Sequence, residues 1–219
     1  MKSHVIIVRF HYEDTDRRFQ FRLAYFRAMV WPRIMAQSDQ NFDVAIRCNP
    51  WQDKFFLHDP YFARPGRRMI VFRVKNEGAR YKVGKNGRRY FEDFAPWEDV
   101  QGLEKYDIQS GLDSDDLVSD DYIAVVRSRV AALAGRGMFH VHFQPQLFRV
   151  STLEVKPMMR YGPTRGSAFL SIYQPDKEKY HFVYDRSHIV MPRIAEKTII
   201  IPAGHAWASA HEHNESTGK

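Results

Sequence analysis

Three carboxylates fall within four residues at Asp113, Asp115 and Asp116. Carboxylates this close repel one another unless a cation or hydrogen-bond donors offset them. Hard oxygen ligands at this density suit Mg²⁺ or Mn²⁺ bridging a diphosphate. Aspartate also starts helices, because its side chain caps free N–H groups and favours the positive end of the helix dipole. Position tips the balance toward a metal site. The strand-like run Tyr106–Leu112 leads straight into the cluster, and ligands bind at the carboxyl ends of strands in open α/β sheets.

Two further groups could serve such a site. His211 and His213 can present imidazoles to one side of an extended segment, and histidine is the commonest ligand of divalent transition metals, so one of them could complete the metal shell. The alternative is a solvated tail. His140 and His142 share the spacing and read instead as the solvent-facing edge of a hairpin. Residues 76–94 interleave Lys82, Lys85, Arg88 and Arg89 with Tyr81, Tyr90, Phe91 and Phe94. The cations could hold phosphates while Tyr81 or Tyr90 stacks on a base or sugar, or the stretch is an ordinary solvated hairpin. Gly84-Lys-Asn-Gly87 fits hairpin turn chemistry. No Gly-x-x-x-x-Gly-Lys-Ser/Thr, Gly-x-Gly-x-x-Gly, Gly-x-Ser-x-Gly or His-Glu-x-x-His occurs, which removes the simplest support for kinase, dehydrogenase, esterase and zincin readings.

The elements that must position these groups follow from periodicity. His4–Phe10 is a β-branched run that reads as a strand covered on both faces, as in a parallel sheet flanked by helices. Phe19, Leu23, Phe26, Val30 and Ile34 recur at helical spacing, with Pro32 expected to end or kink that helix late. Phe42–Cys48 and Met69–Val74 read as further strands, and residues 76–97 as a loop or hairpin insertion. Ser119, Asp120 and Asp121 are expected to cap a helix over Tyr122–Leu133. Alternation from Met138 to Val155 predicts hairpin strands, Phe169–Tyr173 another strand, and Ile199–Trp207 a last short one before the tail. The pattern is that of an open α/β sheet in one domain spanning 1–219.

Composition bounds the rest. With 33 Lys plus Arg against 26 Asp plus Glu, the net charge of +7 favours anionic partners such as nucleotides, phosphorylated glycans, nucleic acid or acidic membrane surfaces. The lone Cys48 excludes an intrachain disulfide framework and a cysteine zinc cluster, and it fits a reducing, cytoplasmic compartment. No apolar run approaches the roughly 18 residues of a membrane span, and no signal-peptide core follows Met1, so a soluble, unprocessed chain is expected.

Several stretches together resemble a family. Arg9-Phe10, Arg22 through Phe26 to Pro32, Ala36–Phe42, Ile108–Asp116 with Asp121-Tyr122, and Trp207 with His211 and Asn214 are similar, in order, to the rhamnosyltransferase family of GT-A-type glycosyltransferases. The resemblance implies a GT-A-like, nucleotide-binding α/β/α sandwich with a mostly parallel central sheet. It further implies a divalent ion, Mn²⁺ or Mg²⁺, and a nucleoside-diphosphate sugar donor, UDP or dTDP based. Carried over, Asp115 is the main metal ligand, with Asp116 beside it. Asp113 meets the ribose or sugar as well as the ion, and His211 is a second protein ligand. Arg9 is expected beside Asp113 on the donor side, Lys82 and Arg88 are candidates there from the basic stretch itself, and the tail at 205–219 is expected over the active site. Two positions depart from the pattern. Asn49-Pro50 stands where an acidic residue is expected, and Gln174 where a Glu is expected. Glutamine cannot act as a general base, which leaves Asp185 and His188 as candidates. Asp115→Asn is expected to abolish transfer and leave the fold intact.

The acceptor implied is a glycan, and the sugar includes rhamnose among its candidates. The positive balance and the 76–94 stretch also admit a modified base in DNA as acceptor. From another class, a non-enzymatic nucleic-acid-binding protein would use the same basic stretch and need neither metal nor nucleotide sugar.

Overall fold

A β-branched run must be covered from both sides. β1 (His4–Arg9) is buried from His4 through Val8 and lies inside a seven-stranded sheet. The structure is a computed structural model that describes residues 3–10, 16–49, 51–63, 69–73, 80–83, 89–93, 102–133, 139–143, 146–157, 169–176, 183 and 197–210. β1 pairs in parallel with β2 (Asp43–Cys48) on one side and with β6 (Ile108–Asp113) on the other. β3 (Met69–Arg73) extends the sheet beyond β2. On the far side of β6 come β11 (Leu170–Tyr173), β8 (Phe139–Phe143) and β12 (Lys197–Ile201). Only β11 runs antiparallel to its neighbours, so the sheet is mostly parallel, in the order β12-β8-β11-β6-β1-β2-β3. The chain is thus mixed α/β around a mostly parallel central sheet.

The helical stripe lies where its spacing puts it, since Phe19, Leu23, Phe26, Val30 and Ile34 are all buried. Its backbone is not one α-helix. α1 (Asp16–Tyr25) passes through a π-helical turn (Phe26–Val30) into α2 (Trp31–Met35). Pro32 therefore sits in the first turn of α2, where a missing N–H costs least. The Trp31 N–H donates to Phe26 O. Pro32 has no N–H to offer the Arg27 carbonyl, which accepts the Tyr61 hydroxyl at 2.7 Å instead. Tyr61 belongs to a 3₁₀ turn (Pro60–Phe62) that follows the short α3 (Lys54–Leu57). Between ring centroids, Phe10 packs edge-on against Phe19 of α1 at 6.3 Å and Phe26 of the π-helical turn at 4.9 Å, and tilted against Phe56 of α3 at 4.8 Å, pinning these elements to the carboxyl end of β1.

α1, α2, α3 and the later segment Tyr122–Ala131 contribute to the core on this face, together with Ile6 and Val8. On the opposite face Val5, Ile7, Ala45, Leu170 and Ile172 are covered, among the described residues, by Leu103, Tyr106 and Val183.

Three expectations are corrected. α4 (Tyr122–Ala131) has no side-chain cap from Asp121. Its Ile123 N–H donates instead to Gln37 Oε1 at 2.9 Å, across 86 residues. Gln37 Nε2 in turn donates to Ser119 O and Arg33 O. A buried glutamine offers both a donor and an acceptor, so it fastens the end of α2 to the start of α4. Second, β8 and the next strand do not form a hairpin. β8 is an inner strand of the main sheet, so the backbone of His140 and His142 is not at a solvent-facing edge. β9 (Gln146–Arg149) hairpins with β10 (Glu154–Pro157) in a separate four-stranded sheet, where β13 (Ala206–Ala210) joins it to β7 (Leu117–Val118). The expected single strand before the tail is two, β12 and β13, joined through Gly204 at φ 109°. Within 76–97, β4 (Arg80–Val83) and β5 (Arg89–Asp93) pair antiparallel as a third sheet. Among the described residues no helix is long and apolar enough to cross a membrane.

A chain of polar groups crosses the helical face of the main sheet. His4 Nε2 meets Ser110 Oγ at 2.8 Å, Ser110 meets Ser171 at 2.6 Å, and Tyr122 reaches Ser171 at 3.4 Å. Burial, aided by Arg127, lowers His4 to a pKa of about 3, and burial pushes the Tyr122 hydroxyl up to about 12. Both stay neutral at physiological pH.

Gln37→Leu should lower stability by about 2–4 kcal/mol, because it strands the Ile123 N–H and two carbonyls. A urea midpoint equal to wild type would refute that role. His4 generates a pH dependence. Below its unfolded value of 6.5 the unfolded chain takes up a proton that the folded chain refuses, so stability present above pH 6.5 is lost as pH falls toward about 3. At about 1.4 kcal/mol per pH unit, wild type should lose about 2 kcal/mol between pH 7 and 5 that His4→Gln does not, as read from paired urea melts.

Candidate functional site

The acidic turn is built from the end of β6. Asp113 is the last residue of that strand and lies opposite Arg9, the last residue of β1. Arg9 Nη2 donates to Asp113 Oδ2 at 2.6 Å, with both side chains about one-fifth exposed (18% and 19%). The chain then folds back, since Ser114 N–H donates to Arg9 O and Asp116 N–H to Asp113 O. This tight turn carries Asp115 and Asp116 inward, to 4% and 6% exposure.

Buried carboxylates need compensation, and several elements supply it. α1 contributes Arg22 and Tyr25, one helical turn apart. Arg22 Nη1 lies 3.3 Å from Asp115 Oδ2 and donates to Ser114 Oγ at 3.3 Å, and the Arg22 side chain is itself only 4% exposed. β13 contributes Ser209, whose N–H donates to Asp116 Oδ1 at 3.3 Å and whose hydroxyl shares a 2.8 Å hydrogen bond with Tyr25. Compensation remains incomplete. Burial first, and then the charges of Asp115 and Asp113, hold the Asp116 carboxyl well above the usual carboxylate range against the opposing pull of Ser209 N–H and Arg9. The Tyr25 hydroxyl is pushed up by burial, with smaller contributions from Asp115 and Asp116.

The structure thus brings Arg9, Asp113, Asp115 and Asp116 together. Among the described residues no group of three or more His, Cys, Asp or Glu side chains converges as a ready metal shell, because Asp113 and Asp115 face different arginines. Lys82 belongs to β4, in the separate two-stranded sheet. Arg88, Asp185, His188, His211 and His213 lie outside the described residues. The described part of the tail runs alongside the acidic turn, with Trp207 opposite Leu117 and Ala206 opposite Val118. Asn49 is buried just past β2, where its N–H donates to Gln52 Oε1 at 2.9 Å. Gln174 is buried directly after β11, its N–H on Asp107 O.

Sequence reasoning passed over Arg22, Tyr25 and Ser209 as site residues. The first two flank the apolar stripe at Leu23 and Phe26, and a cation and a phenol beside a buried stripe were the available signal. Ser209 carried none, since it acts through its backbone and a strand pairing distant in sequence. His205 was also passed over. Its Nδ1 lies 3.0 Å from Asp121 Oδ1, and Ser119 shares that carboxylate, tying the start of β13 to the start of α4. The Ser119 hydroxyl, with help from His205, lowers the pKa of Asp121.

Comparison by sequence with protein-family models and with curated proteins gives no match. Comparison by structure does. S. aureus TarS superposes with a TM-score of 0.56 at 10% identity, over 95% of this chain and 37% of that one. TarS 1–349 in complex with UDP gives 0.57 at 11% identity, over 95% and 60% of the two chains. The same fragment in another structure gives 0.53 at 11% identity, over 94% and 60%. The chain therefore spans less than two thirds of the TarS chains it matches. At these identities what is shared is the fold, a GT-A-like α/β arrangement with a mostly parallel central sheet.

Proposed function

We propose that this chain transfers a sugar from a nucleoside-diphosphate sugar to a hydroxyl acceptor, with the turn at Asp113–Asp116 holding the diphosphate end of the donor through Mn²⁺ or Mg²⁺. The observation that carries the reading is this turn. A cluster of carboxylates stands at the carboxyl end of a central strand, beside Arg9 and Arg22, in a fold shared with a UDP-bound structure. The donor set at the turn fits a hard divalent ion, since Asp113, Asp115 and Asp116 offer carboxylate oxygens. Their repulsion, still felt at Asp116, is what a cation would relieve.

Asp115 and Asp113 would hold the ion, with Asp116 beside them and His211 as a second kind of ligand. When bound, it would neutralise charge on the leaving diphosphate. The chain's own residues do the rest. Arg9 fixes Asp113 for the ribose or sugar. Asp185 or His188 would take the acceptor hydroxyl's proton, because the amide of Gln174 cannot. One direct displacement would invert the anomeric centre. A UDP or dTDP sugar, rhamnose among the candidates, and a glycan acceptor complete the reading.

The expectation that Asp115→Asn spares the fold needs revision, because Asp115 is buried against a buried arginine. Breaking such a pair from one side costs about 3–5 kcal/mol. Asp113→Asn, at the half-open rim, is the cleaner test. It should abolish sugar transfer and weaken UDP binding in Mn²⁺ by calorimetry, while moving the urea midpoint less than Asp115→Asn does. Full turnover with wild-type donor affinity in Asp113→Asn would sink the site assignment.

A second reading of the acceptor rests on the β4–β5 hairpin, which carries Arg80, Lys82 and Arg89 with Tyr81, Tyr90 and Phe91 on two paired strands. A polyanionic acceptor such as a modified base in DNA would suit it, as would simple nucleic-acid binding. Replacing Lys82, Lys85, Arg88 and Arg89 by Ser should then raise the acceptor's KM and flatten its salt dependence, with donor hydrolysis unchanged. Equal salt dependence in both proteins, on DNA and on glycan, would leave the hairpin without that role.

A further inference from the structure

Resting on the donor reading above, we propose that Arg22 is an exchange partner: it occupies Asp115 while the site is empty and passes to the donor's diphosphate when a divalent ion takes that carboxylate. The geometry of the pair is the first reason. A charge-assisted guanidinium–carboxylate bond settles at about 2.7–2.9 Å, and Arg9 holds Asp113 even closer, at 2.6 Å. Arg22 lies 3.3 Å from both Asp115 Oδ2 and Ser114 Oγ. The Arg22–Asp115 pair is thus the looser of the two arginine–aspartate pairs at the turn.

Exclusion is the second reason. A small divalent ion binds carboxylate oxygen at about 2.0–2.1 Å. A guanidinium near the same oxygen would then face a doubly charged neighbour in a buried setting, where charges are weakly screened. One of the two cations has to leave Asp115. Among the described residues Asp113 is already held by Arg9, and Asp116 accepts from the Ser209 N–H.

The destination follows from reach and chemistry. Arg22 stands on α1 and Asp115 on the turn after β6, so the two partners belong to separate elements. With its side chain only 4% exposed, the guanidinium cannot shift far toward water. A diphosphate brought to the turn would place anionic oxygens beside it, and the planar fork of arginine matches such oxygens in pairs. Ion and donor would thereby be coupled. The ion frees the arginine, and the arginine then binds the donor.

The test measures Mn²⁺ binding by calorimetry or electron paramagnetic resonance without nucleotide, and UDP and dTDP binding in saturating Mn²⁺, on wild type, Arg22→Gln and Arg22→Lys. Arg22→Gln removes the competing charge, so Mn²⁺ alone should bind about 5- to 150-fold tighter, the usual span of coupling between sites. The same variant should bind nucleotide more weakly in Mn²⁺. A merely structural role for Arg22 would not move the two affinities in opposite directions. Arg22→Lys keeps the charge and guards against a Gln variant that fails to fold. It should bind Mn²⁺ no tighter than wild type, yet lose nucleotide affinity with the fork. Mn²⁺ affinity unmoved or weakened in a folded Arg22→Gln, while wild type still binds nucleotide, overturns the exchange alone. Nucleotide affinity intact in Arg22→Lys overturns it as well. No UDP or dTDP binding by wild type at any Mn²⁺ concentration overturns the donor reading and the exchange with it.

Discussion

Keeping the carboxylates of Asp115 and Asp116 away from water is the constraint on which the arrangement around β6 depends. An isolated buried charge is costly, and the cost falls only when partners arrive with good geometry. Here the partners come from elements far apart in sequence: Arg22 from α1, and from β13 the backbone of Ser209, whose hydroxyl meets Tyr25. None of them can be withdrawn without exposing or stranding a charge. The acidic turn therefore acts as a hub that fixes the first helix and the end of the described chain relative to the middle of the sheet.

The rest of the helical face supports that hub indirectly. Phe10 locks α1, the π-helical turn and α3 onto the end of β1 through Phe19, Phe26 and Phe56. The π-helical turn resets the phase of the helix before Pro32, so Trp31 and Ile34 still face the core. The orphaned Arg27 carbonyl is repaired from the 3₁₀ turn by Tyr61, and the Arg27 side chain pairs with Asp59 of the same segment. Local irregularity is thus matched by a local partner. At the far end of the rod, Gln37 couples α2 to α4.

Much of this was legible in the residues. Strands β1, β2, β3, β6 and β11 follow from β-branched and apolar runs, and the helical stripe from its spacing, because burial imposes a period on side chains. The position of Asp113–Asp116 at a strand end was legible for the same reason. What escaped notice depended on long-range partners. A period-2 pattern announces that 138–155 is extended and says nothing about which sheet each half joins, so β8 and β9 read as one hairpin. The cap of α4 was assigned to the nearest aspartate because helix starts favour local caps. Gln37, buried and bidentate, won because it satisfies α2, the Ser119 carbonyl and α4 together. Arg22 was hidden in the opposite way, as one polar residue within an amphipathic helix whose pattern already had an explanation.

Stability alone gives little reason for such a hub. Replacing a buried ion pair by apolar groups of similar volume is often neutral or stabilising, and the neighbouring shell of Phe10, Phe19, Phe26 and Phe56 shows that this end of the sheet can be packed with rings. The polar groups are instead concentrated where β6 ends, with Asp116 carrying the unrelieved repulsion of its neighbours. Buried carboxylates shifted by like-charged neighbours cluster at functional sites. The hydroxyl chain from His4 to Tyr122 makes a useful contrast within the same sheet. It is equally buried and equally polar, but its members stay neutral and hydrogen-bonded. The first network links neutral groups, whereas the second, among the described residues, sets three carboxylates against the two guanidinium groups of Arg9 and Arg22.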